Sequence, residues 1–288
     1  MSRSSKTWQI SPKNHRNVIR SEHPLGVNSS YMRIRTAAAA AVLAAFFLAV
    51  FLRFGAAAGD LPVKTTVDDT PVVVELFTSQ GCSSCPPADA LLGKLAKRQD
   101  VLPLAFHVDY WDFIGWRDPY ASKEATDRQY AYGRSLGLNM VYTPQMVIDG
   151  SQDVVGSDEG AVIRGIAAST IRKKLKLSIL RNASGAYRVA IPAGDAPPAP
   201  ASVYVALFDK AHRTDVKRGE NADTSLTEFN IVREWRKIGE WKGQAEEIAL
   251  NLTPESDEYD ACAIIVQDGT NGPVRGAASF RMEKKTGG

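Results

Sequence analysis

Three regimes of apolar patterning divide this chain. Residues 37–52 are apolar without a break, residues 71–173 mix short apolar runs with helical spacing, and from about residue 175 apolar and polar positions alternate. In the middle regime residues 71–77 (Pro-Val-Val-Val-Glu-Leu-Phe) read as a buried strand. Ala88, Leu91, Leu92, Leu95 and Ala96 then fall on one face of a helix over residues 88–98, and a second strand follows at residues 101–108. A polar helix over residues 122–136 carries Ala125, Tyr130 and Ala131. Residues 142–148 form a third strand closed by Asp149-Gly150, and residues 159–173 another helix. Strand and helix in alternation predict parallel pairing with right-handed crossovers.

The last regime reads differently. Residues 175–180 and 186–191 flank Asn182-Ala183-Ser184-Gly185, the signature of a hairpin. Residues 203–208, 246–252, 259–267 and 274–280 add alternating strands, while residues 226–238 fit helical and strand periods equally well. The expected architecture is therefore an α/β domain over residues 71–174 followed by a mainly antiparallel β-sandwich over residues 175–288. Residues 59–70 join it to the N-terminal extension and leader, residues 1–58.

Charge sharpens the view of that leader. The 288 residues carry a net +3, but residues 1–58 hold eight Lys/Arg against the single acid Glu22, or +7. The remaining 27 bases and 31 acids give −4, so the basic character argues for membrane targeting and against nucleic-acid binding. Sixteen apolar residues make roughly 24 Å of helix, short of the ~30 Å hydrocarbon core. Arg33 and Arg35 precede the run and Ala56-Ala57-Ala58 follows it, the layout of a secretory signal. Met32 is the start that fits this layout best, and an uncleaved anchor over residues 37–52 is the alternative. Either way the globular part is expected to be periplasmic or secreted. With 44% hydrophobic and 23% charged residues, the chain is not wholly disordered.

The three cysteines are few for a disulfide-held scaffold. Cys82-Ser83-Ser84-Cys85 lies between the first strand and the first helix, an arrangement suited to thiol–disulfide exchange. A helix N-terminus there favours the thiolate of the first cysteine. A sealed local disulfide and half of a zinc site are the competing readings. His107, at the end of the second strand, admits a copper or zinc site with Cys82 and Cys85; otherwise no cofactor is expected. Residues 109–118 form an aromatic loop in which Tyr110, Trp111 and Trp116 either wall a ligand site beside Cys82 or pack over the core. Cys262, inside an apolar strand, reads as a core thiol.

Strand, CxxC, helix and a later Thr143-Pro144 before a strand resemble the thioredoxin fold over roughly residues 71–172. The longer pattern Glu-Leu-Phe-Thr-Ser-Gln-Gly-Cys-Ser-Ser-Cys-Pro-Pro-Ala-Asp is similar to a family of thioredoxin-like secreted bacterial proteins known chiefly as a domain of unknown function. His107-Val108-Asp109-Tyr110-Trp111-Asp112, Thr143-Pro144-Gln145 and Gly219-Glu220-Asn221 share in that similarity. The resemblance implies a thiol–disulfide oxidoreductase with a protein or small-thiol substrate and a membrane redox partner. It makes Cys82 the attacking thiol nearer solvent and Cys85 the one that resolves the mixed disulfide. It also implies a cis Pro144 facing the cysteines, with Thr143 offering its backbone to substrate. Glu75 takes the place of the buried acid beneath the pair, with an outward orientation or a plain ion pair as the alternative.

Overall fold

The computed structural model describes residues 63–66, 70–182, 184–252 and 258–282. Its centre is β2 (Val72–Thr78), seven residues buried along their whole length. A strand with apolar residues on both faces needs cover on both. Val72, Val74 and Leu76 pack under α1 (Pro86–Leu95) and α3 (Glu159–Thr170), against Leu91, Leu92, Leu95, Val162 and Ile166. Val73 and Phe77 face the other way, toward Tyr132 of α2 (Lys123–Ser135). Each fully buried leucine of α1 contributes roughly 1.5–3 kcal/mol. Ser122 and Asp158 cap α2 and α3, each accepting from a backbone N–H of the first turn.

β3 (Val101–His107) runs parallel to β2, from Val72 opposite Val101 to Thr78 opposite His107. The third strand departs from expectation: β4 (Gln145–Ile148) pairs with β2 antiparallel. It then turns through Asp149 and Gly150, both at positive φ, into the short β5 (Gln152–Val155). A tight hairpin turn requires that backbone, and Asp-Gly supplies it cheaply. β5 escaped sequence reading because its four residues are polar or half-buried at a sheet edge.

On the other side of β3 the sheet continues through β9 (Ser225–Trp241), β8 (Ala201–Asp215), β11 (Ala261–Gln267) and β12 (Val274–Arg281). The eight strands lie in the order β12-β11-β8-β9-β3-β2-β4-β5. The two halves expected on either side of residue 175 thus share one mixed sheet. The junction is a single parallel pair, Ala105 with Ile231. Pro103 lies on the same edge of β3, has no N–H to give, and takes the Asn230 side-chain amide on its carbonyl instead (2.7 Å). Residues 226–238, ambiguous by period, are part of the 17-residue β9, because long-range pairing with β8 overrides local preference.

A second antiparallel sheet is built from β1 (Val63–Thr66), β6 (Ser178–Arg181), β7 (Tyr187–Ile191) and β10 (Glu246–Leu250). Leu177, Ile179, Val189 and Ile191 meet Val203, Val205, Leu207 and Ile264 of the large sheet. One face of that sheet is therefore covered by α1 and α3 at one end and by the small sheet at the other. Cys262 sits inside this second core, where burial pushes its thiol up to about 12. The leader and its apolar run lie outside the described residues. No helix among the described residues is long and apolar enough to cross a membrane.

Candidate functional site

The carboxyl end of β2 runs into Ser79-Gln80-Gly81 and then the cysteines, and α1 begins at Pro86 directly after Cys85. Pro86 and Pro87 take the first helical positions, where a missing N–H costs nothing. Cys82 and Cys85 are joined in a disulfide, Cα atoms 5.4 Å apart. Asn221, from the loop between β8 and β9, donates its amide to the carbonyls of Gln80 (2.9 Å) and Cys82 (3.0 Å) and fixes the turn. Glu220 beside it accepts from the Ser83 N–H at 3.3 Å.

Thr143 faces the pair across a cis bond to Pro144. Its hydroxyl donates to Cys82 Sγ (3.3 Å) and accepts from the Trp111 indole N–H (2.8 Å). The Ser84 hydroxyl lies 3.3 Å from the same sulfur and donates to the Thr143 carbonyl at 3.4 Å. Cys82 is therefore as fully buried as Cys85, with 0% exposure for both. This corrects the expectation that the first sulfur stands nearer solvent: Ser84 and Thr143 cover it. Residues 110–117 close over this end of the molecule. Trp111 Cβ and Ile114 Cδ1 come within 3.1 and 3.5 Å of where a side chain at Gly81 would begin. Phe113, in the 3₁₀ turn Asp112–Ile114, is 82% exposed.

The aromatic residues divide. Trp111 reaches the sulfur through Thr143. Tyr110 turns to α2, donating to Gln129 (3.0 Å), and burial raises its pKa to about 12. Trp116 donates to Gln80 Oε1 (2.9 Å), beneath the turn.

Glu75 is not brought to the cysteines. Like Val73 and Phe77 it points to the α2 face, where it accepts from Arg128 (2.5 and 2.8 Å) and the Tyr132 hydroxyl (2.5 Å). The buried ion pair is its role here, because odd-numbered positions of β2 face away from α1.

A different set of polar groups lies buried below the disulfide. Asp89 of α1 accepts from the Thr78 hydroxyl at 2.9 Å. His107 Nδ1 and the Gln80 N–H both bond Asp118 Oδ2, at 2.7 and 2.8 Å. The Gln80 side-chain amide donates to Glu228 at 2.7 Å, and His107 Nε2 faces the other Glu228 oxygen at 3.9 Å. Burial, reinforced by Glu228, raises the Asp89 pKa to about 7. Burial works against a charged His107, but Asp118 and then Glu228 outweigh it and lift its pKa to about 9. Asp118 stays below the usual carboxylate range: burial raises it, and His107 more than compensates. The centre therefore favours a charged His107 beside Asp118, while burial shifts both Asp89 and Glu228 toward their protonated forms.

Sequence reasoning missed Asp89, although the spacing i, i+4 from Cys85 marks it. Asp118, Glu228 and Gln80 carried no such signal, since they meet only through the fold. Among the described residues no group of three or more His, Cys, Asp or Glu is arranged to hold a metal ion. In this oxidised state the two sulfurs bond each other, and His107 Nδ1 bonds Asp118.

These features define a mixed α/β protein with a CxxC disulfide at a strand-to-helix turn. The family model described as "Protein of unknown function (DUF1223)" matches residues 73–267, and the chain belongs to that family. Protein AGR_C_4864 from Agrobacterium tumefaciens, known from a crystal structure, is 33% identical. It superposes with a TM-score of 0.64 over 74% of this chain and 95% of that one. HBP35 of Porphyromonas gingivalis shares the fold at 12% identity, with a TM-score of 0.51 over 76% of this chain and 78% of its own. A comparison with curated proteins gives no match.

Proposed function

We propose that this chain is an exported thiol–disulfide oxidoreductase of thioredoxin-like fold, acting through Cys82 and Cys85 on cysteine-bearing polypeptides or small thiols. The observation that carries the reading is the Cys82–Cys85 disulfide at the end of β2, with Thr143 donating to Cys82 Sγ. A pair separated by two residues opens and closes without moving the fold, and a donor on one sulfur marks it as the one that carries charge during exchange. The basic, apolar leader supports export, and the periplasm is the compartment in which such a pair meets both oxidants and substrates. A membrane-held redox partner would then recharge the pair.

Because Cys82 is covered, exchange requires Ser84 or the Trp111–Thr143 contact to give way first. The exposed Phe113, with the part-buried Trp111 beside it, then offers apolar surface to a substrate chain. The test uses a reduced, unfolded polypeptide with two cysteines. The oxidised protein should form its disulfide and become reduced in equal amount, and Cys85→Ser should trap a mixed disulfide through Cys82. Absence of both products sinks the proposal.

A further inference from the structure

Asp89 lies one helical turn beyond Cys85. Its N–H donates to the Cys85 carbonyl at 3.1 Å and Cys85 already has helical φ and ψ, so the two side chains share a helix face. Only 5% exposed, Asp89 is held by Thr78 from β2 and faced by His107 from β3, Glu228 from β9 and Asp118 from the aromatic loop. It also lines a groove of about 440 Å³ between α1 and β9, walled by Pro86, Gly93, Leu226 and Phe229. The groove's rim residues Ala90, Lys94 and Thr227 are exposed, so it leads to solvent. Cys82, by contrast, is 0% exposed, with the Ser84 and Thr143 hydroxyls on its sulfur.

We infer that Asp89 takes and returns the proton of Cys85 during disulfide exchange, and that this proton reaches solvent through the groove between α1 and β9. The inference rests on the exchange reading. A thiolate released at Cys85 is wholly buried, and burial disfavours the charged form. It therefore has to be protonated as it leaves and deprotonated before it attacks. In the attacking direction Asp89 carboxylate removes the Cys85 proton. The resulting thiolate attacks Cys82 Sγ, the Cys82–Cys85 bond forms, and the bond from Cys82 to substrate breaks with its electron pair on the substrate sulfur. In the opening direction a thiolate attacks Cys82 Sγ, the Cys82–Cys85 bond breaks with its electron pair on Cys85, and protonated Asp89 gives that sulfur its proton. An acid titrating near neutrality serves both directions, and burial beside Glu228 holds Asp89 there.

The test is the rate at which dithiothreitol opens the disulfide in the full chain across pH, a reaction that needs no physiological substrate. Asp89→Asn keeps an acceptor for Thr78. It should slow opening at neutral pH at least about tenfold and abolish the ionisation near pH 7. Asp89→Ala leaves space that the groove can supply, so added formate should restore the rate and chloride at equal ionic strength should not. Thr227→Trp, which narrows the groove, should weaken that rescue in the Asp89→Ala background. Should either Asp89 variant fail to fold, wild type with isotope-labelled aspartate decides: the infrared difference between oxidised and reduced protein must contain an aspartic-acid carbonyl band. A pH profile unchanged in Asp89→Asn, no rescue by formate, or no such band overturns the Asp89 role and leaves exchange standing. A pair that dithiothreitol cannot open removes both.

Discussion

Replacing Glu75 with Gln separates structural from chemical roles of buried acids in this fold. Glu75 and Arg128 have side chains 0% and 4% exposed and meet through two hydrogen bonds. The guanidinium also reaches the Tyr132 hydroxyl and Gln267, and its carbon lies 3.9 Å from the centre of the Trp235 ring. Without the Glu75 charge, the guanidinium is buried with neutral partners. Removing one member of such a pair costs about 3–5 kcal/mol. Against a total of about 5–15 kcal/mol the protein still folds. At ~2–4 °C per kcal/mol for a chain of this size, the melting temperature falls on the order of 6–20 °C. Urea unfolding should show the loss as a lower midpoint at unchanged slope. Combining Glu75→Leu with Arg128→Met should recover most of it, since an apolar replacement of both partners is close to neutral. The rate and pH profile of disulfide opening should stay within about twofold of wild type, because Glu75 faces α2 while Cys85 and Asp89 lie on α1 across the sheet. A variant of undiminished stability whose pH profile has moved would refute this assignment of faces.

Three further outcomes follow from the same geometry. Trp111→Phe removes the indole donor to Thr143, a contact worth about 0.5–1.5 kcal/mol, and should speed opening of the disulfide several-fold; an unchanged rate would mean that this contact does not guard Cys82. His107 binds its proton more tightly folded (about 9) than at its ordinary 6.5, so its stabilisation is complete below about pH 6.5 and is lost as pH rises through 9. Stability should therefore fall by roughly 2 kcal/mol between pH 7 and 9.5, and His107→Gln should flatten that slope; equal slopes in urea titrations would contradict it. Gly150 has φ +63°, and a Cβ there would lie 2.2 Å from the Gly272 carbonyl oxygen. Gly150→Ala should cost more than about 2 kcal/mol in urea unfolding, and a smaller loss would show the turn relaxing.

What could be read from the residues was what local pattern determines. The β2–Cys82–Cys85–α1 unit and the strand after Pro144 follow from apolar runs, a helix signal and two short motifs. Orientation across a sheet was less legible: seven consecutive buried residues in β2 give no alternation with which to assign Glu75 to a face. The antiparallel sense of β4 depends on its partner and not on its own composition. The extension of the sheet through β9 and β8 rests on pairings between residues tens of positions apart, with Pro103 and Asn230 shaping the one junction. The Asp89–His107–Asp118–Glu228 centre brings together α1, β3, a loop and β9, so only Asp89, four residues after Cys85, and His107, at the end of an apolar strand, had a local signature. The covering of Cys82 is equally non-local, since Thr143 arrives from 61 residues away.

The measurement that bears most directly on the central claim is the reduction potential of the Cys82–Cys85 pair, by equilibration in glutathione and dithiothreitol buffers. The account predicts reversible cycling with a potential in the range of exchange catalysts, roughly −120 to −270 mV. A pair that stays oxidised to well below about −300 mV would be a fixed crosslink and would contradict it.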